Sequence, residues 1–180
     1  AGAPRERQFL LPLVEIPLMN IALTLNNWAM FNEPWTWVTM DTIAANLSGG
    51  WEFDTDDFDI NNVGHPYQGS YPYLATRSAG YTFWQGMLGA GLGSFMWEIA
   101  GEAEPPSIND MITTTFGGSF LGEALHRTSI ALLRSANGWP YWLRLTGSIL
   151  LNPVGSFNRW LTDGRYDLAD YDDEAPLLAR

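Results

Sequence analysis

The sequence predicts a mainly α fold, a compact bundle of about five to six helices with a short strand-like segment and an irregular acidic loop. Three observations carry this. Leu18, Ala22, Leu25 and Ala29 recur at helical spacing on one face. Ser78 to Trp97 runs for twenty residues without a charge. Ser107-x-x-Asp110 resembles a capping box, in which hydroxyl and carboxylate satisfy the free N–H groups of a helix start.

The elements follow in order. Leu13 to Phe31 reads as the first helix, with Pro12 suited to its N-terminal end and Pro17 an alternative start. Thr36 to Leu47 reads as a second helix, ended by Gly49-Gly50. Trp51, Phe53 and Thr55 then alternate with Glu52, Asp54 and Asp56, the strand-like pattern. Asp57 to Pro72, dense in Asp, Asn, Gly and Pro, is expected to be a loop. Tyr73 to Ile99 is expected to be one long glycine-bearing helix, followed by a Pro105-Pro106 turn. From the Ser107 cap a helix runs through Met111 to Arg134, and Asn137-Gly138 turns the chain. Two short helices, Pro140–Leu150 and Val154–Thr162, complete a single helical domain over residues 1–162. Residues 163–180 form an acidic C-terminal arm, either solvated or a partner-binding strip. The start, Ala1-Gly2-Ala3-Pro4, suits a mature end left by cleavage at small residues, and no intact signal peptide is read.

Charge sharpens the picture. The 180 residues carry 20 acidic and nine basic side chains, all nine of them Arg, for a net charge of −11. Half of the acids lie in two clusters, Glu52 to Asp59 and Asp167 to Glu174. Between them, residues 60–162 carry only five acids and five arginines. Charged residues make up 16% of the chain, where about 25% is usual. With 46% hydrophobic and 14% aromatic residues, a generic disordered chain is excluded. Nothing here neutralises a phosphate backbone over a patch, so nucleic acid is not an expected partner. The absence of Cys removes disulfides, thiolate metal sites and a Cys nucleophile.

A soluble surface helix shows a charged face. Ser78–Trp97 has none, so it is expected to be buried in protein, in lipid, or in both. Gly89-x-x-x-Gly93 has the small-residue spacing that lets helix backbones approach, and Gly117-Gly118 is read the same way.

Several side chains are candidates for chemistry. Glu98 and Glu102, four apart, share a helical face at the end of the uncharged run. They read either as a carboxylate pair for acid–base or metal work or as the point where a helix meets water. Glu123-x-x-His126 has the spacing of a dimetal-bundle motif but occurs once, which favours a polar helix face. Asp57, Asp59 and Asn61 match the first oxygen positions of a calcium loop, yet the sixth position is Asn62 and the twelfth Gln68; a solvated acidic loop is the default. His65 reads as a base or as a locally bonded loop residue. No cofactor is predicted, since no nucleophile elbow, phosphate loop or dinucleotide fingerprint occurs.

A series of linked motifs adds a resemblance. It runs from Gly64-His65-Pro66-Tyr67-Gln68-Gly69-Ser70 through Ala75-Thr76-Arg77-Ser78-x-Gly80 to Gly93-Ser94-x-x-Trp97-Glu98 and Glu102. Pro106-Ser107-Ile108-Asn109-Asp110-Met111-Ile112 and Gly117-Gly118-Ser119-Phe120-Leu121-Gly122-Glu123 follow. Order and spacing resemble the bacterial domain-of-unknown-function family numbered 3943, over about residues 50–135. The end of the pattern is also loosely similar to VanZ-like membrane proteins. The resemblance implies an exported protein of the Gram-negative envelope, on the periplasmic side or at the outer membrane, and carries no catalytic residue over. Many such proteins look as if they end in an outer-membrane barrel, for which nothing after Asp163 supplies strands.

The motif residues define a candidate polar cluster of Gln68, Arg77, Asn109, Glu123 and His126, with Arg77 expected to pair with Glu98 or Glu102. The favoured function is a non-enzymatic helical module of the bacterial envelope. It would pack against a membrane or within a membrane-protein complex, its acidic arms meeting a basic partner. The alternative is a lipid- or envelope-directed enzyme using His65, Glu98, Glu102 and Asp110. An open pocket lined by perturbed carboxylates would favour the enzyme; a closed, fully paired cluster would favour the module.

Overall fold

The computed structural model describes residues 7–135 and 138–163. The acidic arm expected over 163–180 lies outside the described residues apart from Asp163, as do Asn137 and the first six residues. Eight α-helices follow one another among the described residues: α1 Leu10–Met30, α2 Met40–Ser48, α3 His65–Ser78, α4 Phe83–Ala100, α5 Ile108–Ile112, α6 Gly118–Arg134, α7 Tyr141–Leu151 and α8 Pro153–Leu161. A 3-10 turn, Pro34–Thr36, precedes α2. π-helical turns at Ile60–Gly64 and Thr113–Gly117 lead into α3 and α6. The fold is mainly α, as the sequence predicts.

The strand-like segment shrinks to one parallel bridge between Glu52 and Ser107. The Glu52 amide donates to Pro106 and the Ile108 amide to Glu52, but the next ladder position is lost because the Asp54 amide bonds the Asn109 side chain. No strand occurs among the described residues.

Two expectations are corrected. The loop expected over Asp57–Pro72 is largely helical, because Pro66 falls in the first turn of α3, where no N–H is needed. Pro72 lies inside α3, its ring packed against Gly93 of α4. The single helix expected over Tyr73–Ile99 is two, α3 and α4. Gly80 takes a left-handed φ of 88° that breaks the first, and Thr82 caps the second reciprocally with Gln85. Smaller shifts have local causes. α1 begins at Leu10 with Pro17 inside it, and Thr39 with Thr42 caps α2 at Met40. Ser107 caps α5 by accepting from the Asp110 amide, but the Ser107 amide donates to Glu98, so the box is only half made.

α3 is the central helix, packed against α1, α4, α6 and α8. Its approach to the neighbours depends on missing side chains. A Cβ at Gly118 would lie 2.5 Å from the Gly69 carbonyl carbon, so the backbones of α3 and α6 touch. A Cβ at Gly89 would lie 2.1 Å from Thr76 Oγ1, which draws α4 equally close. Gly93 and Gly117 lie under Pro72 and Pro66.

The distribution of polarity is unusual for a water-surrounded bundle. Among the described residues, 18 buried side chains are polar or charged against ten that are hydrophobic. Large hydrophobic residues point outward in helical stripes: Val14, Leu18, Ile21, Leu25 and Trp28 on α1, and Trp84, Leu88, Leu92 and Phe95 on α4. Ile112, Phe116 and Phe120 continue the pattern along the path from α5 into α6. Ser78–Trp97 is therefore divided by face: Gly86, Gly89, Gly93, Ser94 and Trp97 are inward, and Trp84, Leu88, Leu92 and Phe95 outward. α1 is long and apolar enough to cross a membrane by length and composition alone.

Candidate functional site

The extended segment before the first π turn runs beside the start of α5 and brings Asp54 and Asp56 to Asn109 and Asp110. Asn109 organises this junction. Its Nδ2 donates to Asp54 Oδ1 at 2.8 Å, to Asp110 Oδ1 at 3.1 Å and to Asn61 Oδ1 at 3.2 Å. Its Oδ1 accepts from the Asp54 amide and the Ser107 hydroxyl. His65, at the first position of α3, places Nε2 3.4 Å from Asp110 Oδ1. One ligating atom from each of Asp56, His65 and Asp110 lies within 4.8 Å of the others.

The carboxylates press on one another. Burial raises Asp110 to about 8, with Asp54 and Glu98 adding to the rise. Burial lifts Glu102 to about 9, reinforced by Glu98, Glu104 and Asp110. Glu98 is fully buried and rises to about 7, held back by the Ser107 amide, which donates to Oε2 at 2.7 Å. Asp54 goes the other way. Burial would raise it, but hydrogen bonds with Asp110, Asn109 and the Asp56 amide outweigh that and lower it. Burial lowers His65 against the pull of Asp54 and Asp56.

A groove of about 800 Å³ opens beside this junction. Met19, Leu23 and Phe31 of α1 and its C-terminal end supply one apolar wall, Tyr71 of α3 and Trp97 of α4 the others. Asp56, His65, Glu102 and Glu104 line the same groove, making it amphiphilic.

The predicted residues fall into separate places. His65, Glu102 and Gln68 line the groove, Asp110 is buried behind His65, and Glu98 is sealed beneath Ser107. Arg77 does not pair with Glu98 or Glu102. It makes a two-bond pair with Glu123, Nε to Oε2 at 2.8 Å and Nη2 to Oε1 at 3.0 Å, joining α3 to α6. Tyr73 and Arg127 also donate to Glu123, which is held down at about 2 despite its burial. The expected polar cluster is thus split between Arg77 with Glu123 and Asn109 at the acidic junction. His126 is buried on α6. Among the described residues neither Glu123 nor His126 belongs to a metal-ligating group. Asp57, Asp59 and Asn61 do not form a calcium loop, because the chain turns helical at Phe58 and sends alternate residues to opposite sides. Asp54 and Asp56 were not among the predicted site residues. Their signal was the alternation over 51–56, which sets both on one side of an extended segment.

Comparison with known proteins places this geometry in a family. Residues 50–154 match the family described as domain of unknown function DUF3943. No curated protein matches the chain, and no solved structure matches it. The match begins at the extended acidic segment and takes in the glycine-contacted helices α3, α4 and α6 together with the Asp56–His65–Asp110 junction. Covering more than half of the sequence, it shows that this chain belongs to the DUF3943 family.

Proposed function

We propose that this chain is a non-enzymatic helical module that packs against a lipid membrane, with the bacterial envelope as its location. The observation that supports it is the inverted polarity: polar side chains fill the interior while apolar stripes of α1, α4 and the α5–α6 path face out. Patches of a few hundred Å² already mark interaction surfaces on soluble proteins. Here the outward stripes belong to several helices around α3, more than a single flat protein interface covers. Exposed Trp28, Trp84, Trp142 and Trp160 suit the polar–apolar boundary of a bilayer. A basic partner for the acidic segment 52–59 belongs to the same proposal.

Flotation with phosphatidylcholine vesicles tests it, zwitterionic lipid being chosen because a net charge of −11 is repelled by anionic lipid. The chain is expected to float with the vesicles and to need detergent for monodispersity. A monodisperse monomer in detergent-free buffer that stays at the bottom of the gradient overturns the proposal.

One observation favours a second reading, an enzyme acting on a lipid or envelope substrate. The groove combines apolar walls with His65, Asp56, Glu102 and Glu104. Glu98 is sealed from it, its Oε2 accepting from the Ser107 amide. Loss of lipid turnover in His65→Gln, with vesicle binding retained, would favour this reading over the first.

A further inference from the structure

We propose that Asp56, His65 and Asp110 bind a divalent ion of the first transition row, of the zinc or manganese class. The site goes beyond membrane packing and does not depend on it.

The imidazole carries the argument. His65 is 7% exposed, and neither ring nitrogen makes a hydrogen bond. A buried imidazole normally satisfies at least one nitrogen, because an unpaired polar atom costs about 1–3 kcal/mol. Its Nε2 instead stands 3.4 Å from Asp110 Oδ1 without bonding it. Metal–nitrogen and metal–oxygen bonds of about 2.0–2.2 Å set the ligands of a tetrahedral ion about 3.4 Å apart. The His65–Asp110 spacing is that of two ligands sharing an ion. Asp56, exposed and in an irregular segment, brings the third donor within 4.8 Å of both.

The surroundings fit the same ion. Asn109 bridges Asp54 and Asp110 and fixes the Asp110 carboxylate from the side, as outer partners of metal ligands do. Asp54 and Asp110 share the Asn109 amide, and Asp56 and Asp110 stand beside the same ring, so three carboxylates crowd one imidazole. Carboxylates crowded around a buried imidazole with both nitrogens unpartnered suit a bound cation. One nitrogen with two or more oxygens suits zinc or manganese; calcium and magnesium prefer oxygen alone. Asp56 and His65 also line the groove, leaving one side of the ion open to it.

The test is calorimetric titration of the full chain, stripped with chelator, with Zn²⁺, Mn²⁺, Mg²⁺ and Ca²⁺ separately. One equivalent of Zn²⁺ or Mn²⁺ is expected. Asp56→Asn, at an exposed position that leaves the fold intact, and His65→Gln should each weaken it by at least about 100-fold, at or beyond the range seen for outer partners. Asp57→Asn should bind as the parent does. Cobalt substitution gives a visible ligand-field spectrum that His65→Gln should shift. No stoichiometric binding overturns the proposal, as does binding that survives both Asp56→Asn and His65→Gln. Binding of Ca²⁺ or Mg²⁺ alone overturns the assignment of His65 as a ligand.

Discussion

Arg77 of α3 and Glu123 of α6 face each other through two parallel hydrogen bonds of 2.8 and 3.0 Å, and both side chains are nearly sealed from water. Planar, two-bond pairing of this kind is strong and sets the angle between its partners. Tyr73 and Arg127 complete the Glu123 carboxylate. Since α3 and α6 form the central packing of the fold, the pair fastens its main interface.

Removing one partner leaves the other charge buried. Glu123→Ala is expected to cost about 3–5 kcal/mol, and the double change Arg77→Met with Glu123→Leu much less. Chemical unfolding of both variants beside the parent checks the order. A Glu123→Ala chain as stable as the parent would remove the fastening role.

Stability should also depend on pH in two opposite ways. Glu123, held at about 2, contributes stability that is present above the ordinary carboxylate range and is lost as pH falls toward 2. Glu98 and Glu102 are raised to about 7 and 9, so between pH 5 and 9 the folded chain holds more protons than the unfolded one. Their contribution therefore falls as pH rises through that window. Thermal midpoints should drop from pH 5 to pH 9, and Glu98→Gln with Glu102→Gln should flatten the drop. An unchanged slope in that variant would contradict the assignment.

Two nearby helical glycines should respond with opposite signs. A Cβ at Gly91 meets only ordinary contacts, the nearest atom at 3.5 Å. Gly91→Ala is expected to stabilise by up to about 1 kcal/mol, the helix-propensity gain. At Gly89 the added carbon would overlap Thr76 Oγ1, and at Gly118 the Gly69 backbone. Both alanine variants should lose about 1–3 kcal/mol or more from overpacking, Gly118→Ala more because backbone yields less than a side chain. Unfolding curves measured side by side give the comparison.

The outward stripe of α4 offers a test of membrane packing that leaves the interior alone. Leu88 and Leu92 are 74% and 50% exposed, so Leu88→Glu with Leu92→Glu should keep the helical spectrum. The same change should reduce flotation with vesicles severalfold, because each Glu must leave water for an apolar setting. Undiminished flotation would place the contact elsewhere on the surface.

Much of this is legible in the sequence. Apolar spacing, the Ser107 hydroxyl, Gly49-Gly50 and Gly138 mark helices and turns through local backbone chemistry, which a chain carries with it. Pro66 and Pro72 misled, since both read as loop residues until a neighbouring helix gave Pro72 a glycine to rest on. The alternation over 51–56 implied a strand, but a strand needs a partner ladder, and the Asn109 side chain captured the amide that would have extended it.

The sequence by itself determined a mainly helical chain with a neutral, glycine-rich centre and a short inventory of carboxylates and histidines. Those properties follow from composition and local propensity. Pairing was decided only by tertiary structure. Arg77 is 46 residues from Glu123, and Asn109 is 55 from Asp54, so no local spacing announces either. Packing α3 between α4 and α6 brought the first pair together, and the chain's return from α4 to α5 brought the second. The same packing turned the apolar stripes outward, because the close approach of glycine-faced helices leaves interior room for only a few large side chains, Tyr73, Leu74 and Trp97 among them.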